Sequence, residues 1–199
     1  MFEKLTPLTG ALIAVNVLVF ALFKLAGAPI AIWLALWPVQ GMGGDATFQP
    51  WQVLTYAFLH VDGFGLFLNM LALFMFGPAL ENLFGRSRYA TYYVFCVIGA
   101  ALMHLIVMST SGLPPMPMYG ASGGVFGLLL AYGMLWPQRR LMLLFPPIPL
   151  PAWLFVTLFG VFELVMGVTQ ASGAVYLVNF GGMATGFVLI RYWNARHRR

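Results

Sequence analysis

Six long apolar runs, separated by short polar or basic segments, cover roughly residues 8–26, 64–84, 89–108, 121–136, 152–168 and 175–193 of the 199-residue chain. Each approaches the ~20 residues that carry a helix across a bilayer's hydrocarbon core. The pattern therefore predicts six membrane-spanning helices. The fourth is expected to be short, because Pro114-Pro115-Met116-Pro117 precedes it and prolines do not sit deep in a helix. Between the first two runs, residues 28–63 hold Trp33, Trp37, Trp51 and Tyr56 but no clean span. Aromatic rings favour the membrane interface, so this stretch reads as an interfacial lobe, the alternative being an ordinary periplasmic loop. No repeat or internal boundary divides residues 1–199, which read as a single domain.

Composition strengthens the membrane reading. Hydrophobic residues make up 61% of the chain, charged residues 8%, and mean hydropathy is +0.89. That leaves too little charge to surround a soluble core. The first run is too long for a signal-peptide core and lacks a small-x-small exit, so it reads as a retained anchor.

Charge placement sets an orientation. Lys4, Arg86 and Arg88, Arg139 and Arg140, then Arg191, Arg196, Arg198 and Arg199 fall at the N-terminus, in alternate connections and at the C-terminus. The other connections hold Asp45, Asp62 or no charge, with Lys24 the exception. By the positive-inside rule both termini are cytoplasmic, as an even number of spans requires. The net charge of +5 does not form an aromatic-interleaved patch, so no nucleic-acid partner is expected. The lone cysteine, Cys96, excludes an intrachain disulfide and reads as a packing residue. No histidines or cysteines have metal-ligand spacing, so neither a metal nor another cofactor is expected.

Polar groups inside the apolar runs are costly and call for a reason. Gly120-Ala121-Ser122-Gly123-Gly124-Val125-Phe126-Gly127 has small residues four apart, Gly123 and Gly127 among them, suited to close helix approach. Ser122 is either a packing residue or a hydroxyl delivered near a helix N-terminus, where free amides can stabilise an oxyanion. Gly65 and Asn69 share a face of the second run, and Asn69 suits either an interhelical hydrogen bond or an oxyanion donor. Asn179 stands one turn before Gly182, which with Gly186 forms a second small-residue face suited to the Ser122 helix. A Ser–Asn hydrogen bond between two helices is the plain reading of that pair.

The histidines are poor candidates for a base. His60 lies near the interface, where a structural hydrogen bond is the ordinary role. His104 is mid-run with no evident partner, and His197 is in the basic tail. Glu163 is a carboxylate within the fifth run, again without an evident partner.

Together these pieces resemble the rhomboid family of intramembrane serine proteases, bacterial type. Gly120-Ala121-Ser122-Gly123 matches its serine motif. The stretch from Phe48-Gln49-Pro50-Trp51-Gln52 to Thr55-Tyr56-Ala57-Phe58-Leu59-His60 is similar to its approach to the second span. Glu81 with Gly85 resembles the exit, and Arg139-Arg140 before Pro146-Pro147-Ile148-Pro149 is typical of the bacterial branch. The likeness runs along almost the whole chain. It implies an all-α fold of six transmembrane helices, a bacterial inner-membrane location and a transmembrane-helix substrate. It also makes Ser122 the nucleophile, with Asn69 on the oxyanion side.

Two positions depart from the family. Asn179 stands where the resemblance places the general-base histidine, and Gly65 where it places the oxyanion-side histidine. A serine hydroxyl needs a base during attack, and a carboxamide is far too weakly basic. Loss of the base in other serine proteases costs on the order of a million-fold, and loss of one oxyanion donor about a hundred- to thousand-fold. The resemblance places the third span, with His104, away from the serine. Tyr176, one turn before Asn179, has too high an ordinary pKa to replace imidazole. The expected chain is thus an inactive or severely impaired protease scaffold or a client-binding pseudoprotease; the alternative is a protease with an unconventional base. A small transporter is disfavoured, because no inverted repeat or ion path is visible.

Overall fold

A computed structural model describes residues 4–41, 46–112, 114–142, 149–169 and 174–196. Asp45, His197, Arg198, Arg199 and Pro146-Pro147-Ile148 lie outside these residues, and nothing is described of the Glu163 and Tyr176 side chains. The apolar runs are helices. In order they are α1 (Pro7–Ala26), α2 (Ala28–Leu34), α3 (Gln52–Thr55), α4 (Gly63–Phe84), α5 (Arg86–Thr110), α6 (Ser122–Leu135), α7 (Ala152–Thr169) and α8 (Ala174–Arg196). A 3₁₀ turn, Tyr56–Phe58, follows α3. Between α6 and α7, β1 (Arg140–Met142) pairs antiparallel with β2 (Pro149–Pro151), a small ribbon the apolar pattern does not announce.

Among the described residues, α1, α4 and α5 are long and apolar enough to cross a bilayer, while α6 is a shorter apolar helix of 14 residues. The distribution of polarity is inverted relative to a water-soluble domain. Leu18, Leu25, Phe64 and Val188 are exposed, whereas Thr9, Asn16, Gln52, Glu81, His104 and Asn179 are buried. Lipid makes the apolar exterior favourable, and buried polar groups must then find partners inside.

Helices α1 and α4 form an antiparallel pair tied at both ends. At one end the Glu81 carboxylate accepts from Thr6 Oγ1 (2.5 Å), the Thr9 amide (2.8 Å), Thr9 Oγ1 (2.9 Å) and the Leu8 amide (3.0 Å). A residue of α4 therefore caps the first turn of α1, where amides have no intrahelical acceptor. At the other end Lys24 Nζ donates to the Val61 carbonyl at 2.9 Å. Gly85, at φ +76°, turns the chain directly from α4 into α5 without a loop.

The core is the contact of α5, α6 and α8. A Cβ on Gly182 would collide with the Gly123 carbonyl, and one on Gly181 with the Gly99 carbonyl, so α8 lies backbone to backbone on both neighbours. Gly182→Ala is expected to lower stability by about 1–3 kcal/mol, because main chain cannot move aside. Gly160→Ala, where the nearest atom is Met183 Cε at 3.9 Å, is the near-neutral control. Thermal unfolding in detergent checks the difference, and equal melting points would refute the close approach.

Candidate active site

The site is assembled by the chain segment before α6. Met118 pairs with Leu36 by two main-chain hydrogen bonds of 2.9 Å, and the Gly120 amide donates to the Tyr56 carbonyl at 3.0 Å. Both partners belong to the aromatic lobe. Gly120 adopts φ +107°, a conformation side chains resist, and so turns the chain sharply into α6. The lobe is itself held by buried Gln52, whose Oε1 accepts from the Trp37 (3.3 Å) and Gln49 (3.0 Å) amides. Tyr56 Oη donates to the Val97 carbonyl of α5 at 2.8 Å. Trp33 stacks on Trp51 at 5.6 Å on the outer side, both exposed.

Ser122 opens α6 and is half-buried. The amides of this first turn have no intrahelical acceptors and point toward the positive end of the helix dipole. One turn along α8 from the Gly182–Gly123 contact, Asn179 is buried, at 5% exposure. Asn69 is half-buried on α4, and its Nδ2 donates to the Gly65 carbonyl at 3.0 Å. Its bonding is thus within its own helix and to the preceding loop, rather than the interhelical bond expected from the sequence. Gly65 receives the N-cap of α4: its amide donates to Asp62 Oδ1 at 2.6 Å.

His60 makes hydrogen bonds of the structural kind expected near the interface, and with partners the sequence did not name. Its Nε2 accepts from the Ala121 amide at 3.4 Å and faces Asn69 Nδ2 at 3.3 Å. Burial pushes its pKa below the ordinary imidazole range, against smaller opposing effects of the Phe58 main chain and Asp62. A neutral ring is what an acceptor at Nε2 requires. His60 therefore joins α4 to the residue before Ser122. Its partners lie 9 and 61 positions away, so only its place just ahead of the second apolar run hinted at a role.

Two other expectations change. The third span does not lie away from the serine: Ala100 of α5 fills the space beside Gly123, and Tyr93 fills that beside Gly124. Small residues on α6 admit α5 as well as α8. Gly186 rests against Tyr92 of α5 rather than against α6, while Gly127 meets Cys96 and lies near the Gly182 carbonyl. Cys96 is buried and free, consistent with packing. His104 is fully buried, and neither ring nitrogen has a hydrogen-bond partner among the described residues. No group of three metal-ligating side chains occurs among them either.

The structure is thus a helical bundle with an apolar exterior and, inside it, a serine at the start of a short apolar helix. The Rhomboid domain family matches residues 47–195. The chain belongs to the rhomboid family. It is 31% identical to the mitochondrial Rhomboid protein 1 of Saccharomyces cerevisiae over 164 residues, covering 77% of this chain and 46% of the relative. It is 30% identical to Rhomboid protease GlpG of Klebsiella pneumoniae over 193 residues, covering 92% and 62%. A putative rhomboid protease, YdcA of Bacillus subtilis, is 27% identical over 132 residues, covering 66% and 63%. The chain thus spans about half to three-fifths of the length of these relatives. With the apolar helices, family membership makes it an integral membrane protein.

Proposed function

We propose that the chain is a rhomboid-type intramembrane protease scaffold that does not hydrolyse peptide bonds efficiently and instead engages transmembrane segments of client proteins. The reading takes residues 1–199 as one domain crossing a bacterial inner membrane six times, with both termini in the cytoplasm. The alternation of basic and uncharged connections supports that orientation. One observation carries the proposal: residue 179, the family's general-base position, is a buried carboxamide. Asn179 can bond a hydroxyl, but it cannot take a proton from Ser122 during attack or return one to the leaving amine. Gly65 removes a further polar group from the oxyanion side. The first-turn amides of α6 remain to hold a carbonyl oxygen, with Asn69 able to join them by giving up its bond to His60 or Gly65, so a bound segment would be oriented without being cut.

A second reading rests on His60. An imidazole acceptor lies against the amide of the residue before Ser122, and a shift of the ring toward the hydroxyl would supply an unconventional base.

Labelling with a serine-directed fluorophosphonate probe separates the two. The purified chain in proteoliposomes is expected to show no labelling above the Ser122→Ala background and no cleavage of a transmembrane substrate. Robust labelling that disappears in Ser122→Ala overturns the inactive reading. If it also disappears in His60→Ala while the fold persists, His60 is the base.

A further inference from the structure

The bundle end farthest from the serine loop has no part in the chemistry above. There α1 begins, α4 and α6 end, α5 begins and α8 ends, as three contacts establish. Glu81 meets Thr6, Phe76 meets Tyr132 at 5.1 Å, and Phe84 meets Trp193 at 5.5 Å. Six arginines gather at this end: Arg86, Arg88, Arg139, Arg140, Arg191 and Arg196. The buried carboxylate there, Glu81, is already engaged by α1.

Two of these arginines have a defined setting on α8. Arg191 Cζ lies 5.7 Å from the centre of the Phe187 ring, and Arg196 Cζ lies 5.0 Å from that of Tyr192. A guanidinium laid on a ring keeps its N–H edge free for paired hydrogen bonds to oxygen. Phe187, Val188 and Tyr192 are 46%, 63% and 50% exposed, whereas Ile190 is 3% exposed. Helical spacing sets Phe187 and Arg191 in one outward row and Val188, Tyr192 and Arg196 in a second row beside it, together forming a strip. The strip is apolar toward the middle of the bundle and cationic at its end.

We propose that this strip binds anionic phospholipid, with a phosphate at Arg191 above an acyl chain along Phe187 and a phosphate at Arg196 above one along Tyr192 and Val188. The chemistry argues for that occupant. Orientation alone is served by lysine as well as by arginine, whereas a flat donor fork matches phosphate oxygens. A zwitterionic lipid brings its own ammonium to a rim that is already cationic, which like charge disfavours. An anionic headgroup offsets that charge.

The test is native mass spectrometry of the full chain from mixed micelles holding equal phosphatidylglycerol and phosphatidylcholine. Retention of phosphatidylglycerol is expected to exceed that of phosphatidylcholine about fivefold. The pair Arg191→Gln with Arg196→Gln is expected to bring the ratio near one. Arg191→Lys with Arg196→Lys, which keeps charge and topology, should fall between. Equal retention by the unaltered chain overturns the proposal, as does an undiminished ratio in the Gln pair. So does a Lys pair indistinguishable from the unaltered chain, which also serves if the Gln pair does not fold. Displacement of the lipid by excess glycerol phosphate would make free phosphate the ligand and overturn the lipid assignment.

Discussion

Asn179→His combined with Gly65→His is expected to raise fluorophosphonate labelling of Ser122 by at least about a thousandfold over the unaltered chain, with measurable cleavage of a transmembrane substrate. The magnitude follows from the chemistry restored. A base at residue 179 is the larger part, on the order of a million-fold in other serine proteases when removed. An oxyanion donor at residue 65 adds up to about a hundred- to thousand-fold. The Gly65 change has a local cost. A Cβ there falls 2.9 Å from Asp62 Oδ2, and that carboxylate holds the Gly65 amide at 2.6 Å. Asp62 must swing aside, weakening an N-cap worth about 0.5–2 kcal/mol. Since the obstacle is the end of a side chain, the helix is expected to tolerate it. Asn179→His alone should supply the larger part of the gain yet stay about a hundred- to thousand-fold below the pair. Labelling that stays at background in the folded double variant would show that the missing base is not what silences Ser122.

Glu81→Ala is expected to cost about 2–4 kcal/mol of stability, the order of losing buried hydrogen bonds to a charged acceptor. The carboxylate accepts four hydrogen bonds from the first turn of α1. The Leu8 and Thr9 amides would lose their acceptor at the buried start of α1. Arg86 contributes little: its Nε is 4.0 Å from Glu81 Oε1, and its side chain is 72% exposed. Glu81→Gln keeps an acceptor oxygen and should cost about half as much. Unfolding in detergent with increasing denaturing surfactant measures both. A loss below about 1 kcal/mol for Glu81→Ala would mean that α1 is held by packing alone.

The apolar runs were legible because lipid imposes one rule on every span, and each predicted run ends within three residues of its helix. The largest differences, three residues each, lie at the start of α5 and the end of α8. Arg86 to Arg88 read as a loop, yet Gly85 alone makes the turn and the arginines are already helical. Short-range patterning also foresaw the contact of Gly123 with Gly182. It did not say which neighbour each glycine would meet, so Gly186 was placed against the wrong helix. Partners far apart in sequence were hidden. Nothing near Glu81 names Thr6 or Thr9, more than 70 positions away, and nothing near His60 names Ala121. The departures at 65 and 179 were legible from resemblance alone, since a lone asparagine in an apolar run has a plain structural reading.

The ties that hold the segment ahead of Ser122 are mostly main-chain bonds, from Met118 to Leu36 and from Gly120 to Tyr56. Those bonds are made by main-chain atoms alone, so the position of the loop does not depend on which side chains stand at Leu36, Tyr56 and Met118. Substitutions at those residues can therefore reshape the lining of the site while its frame stays in place.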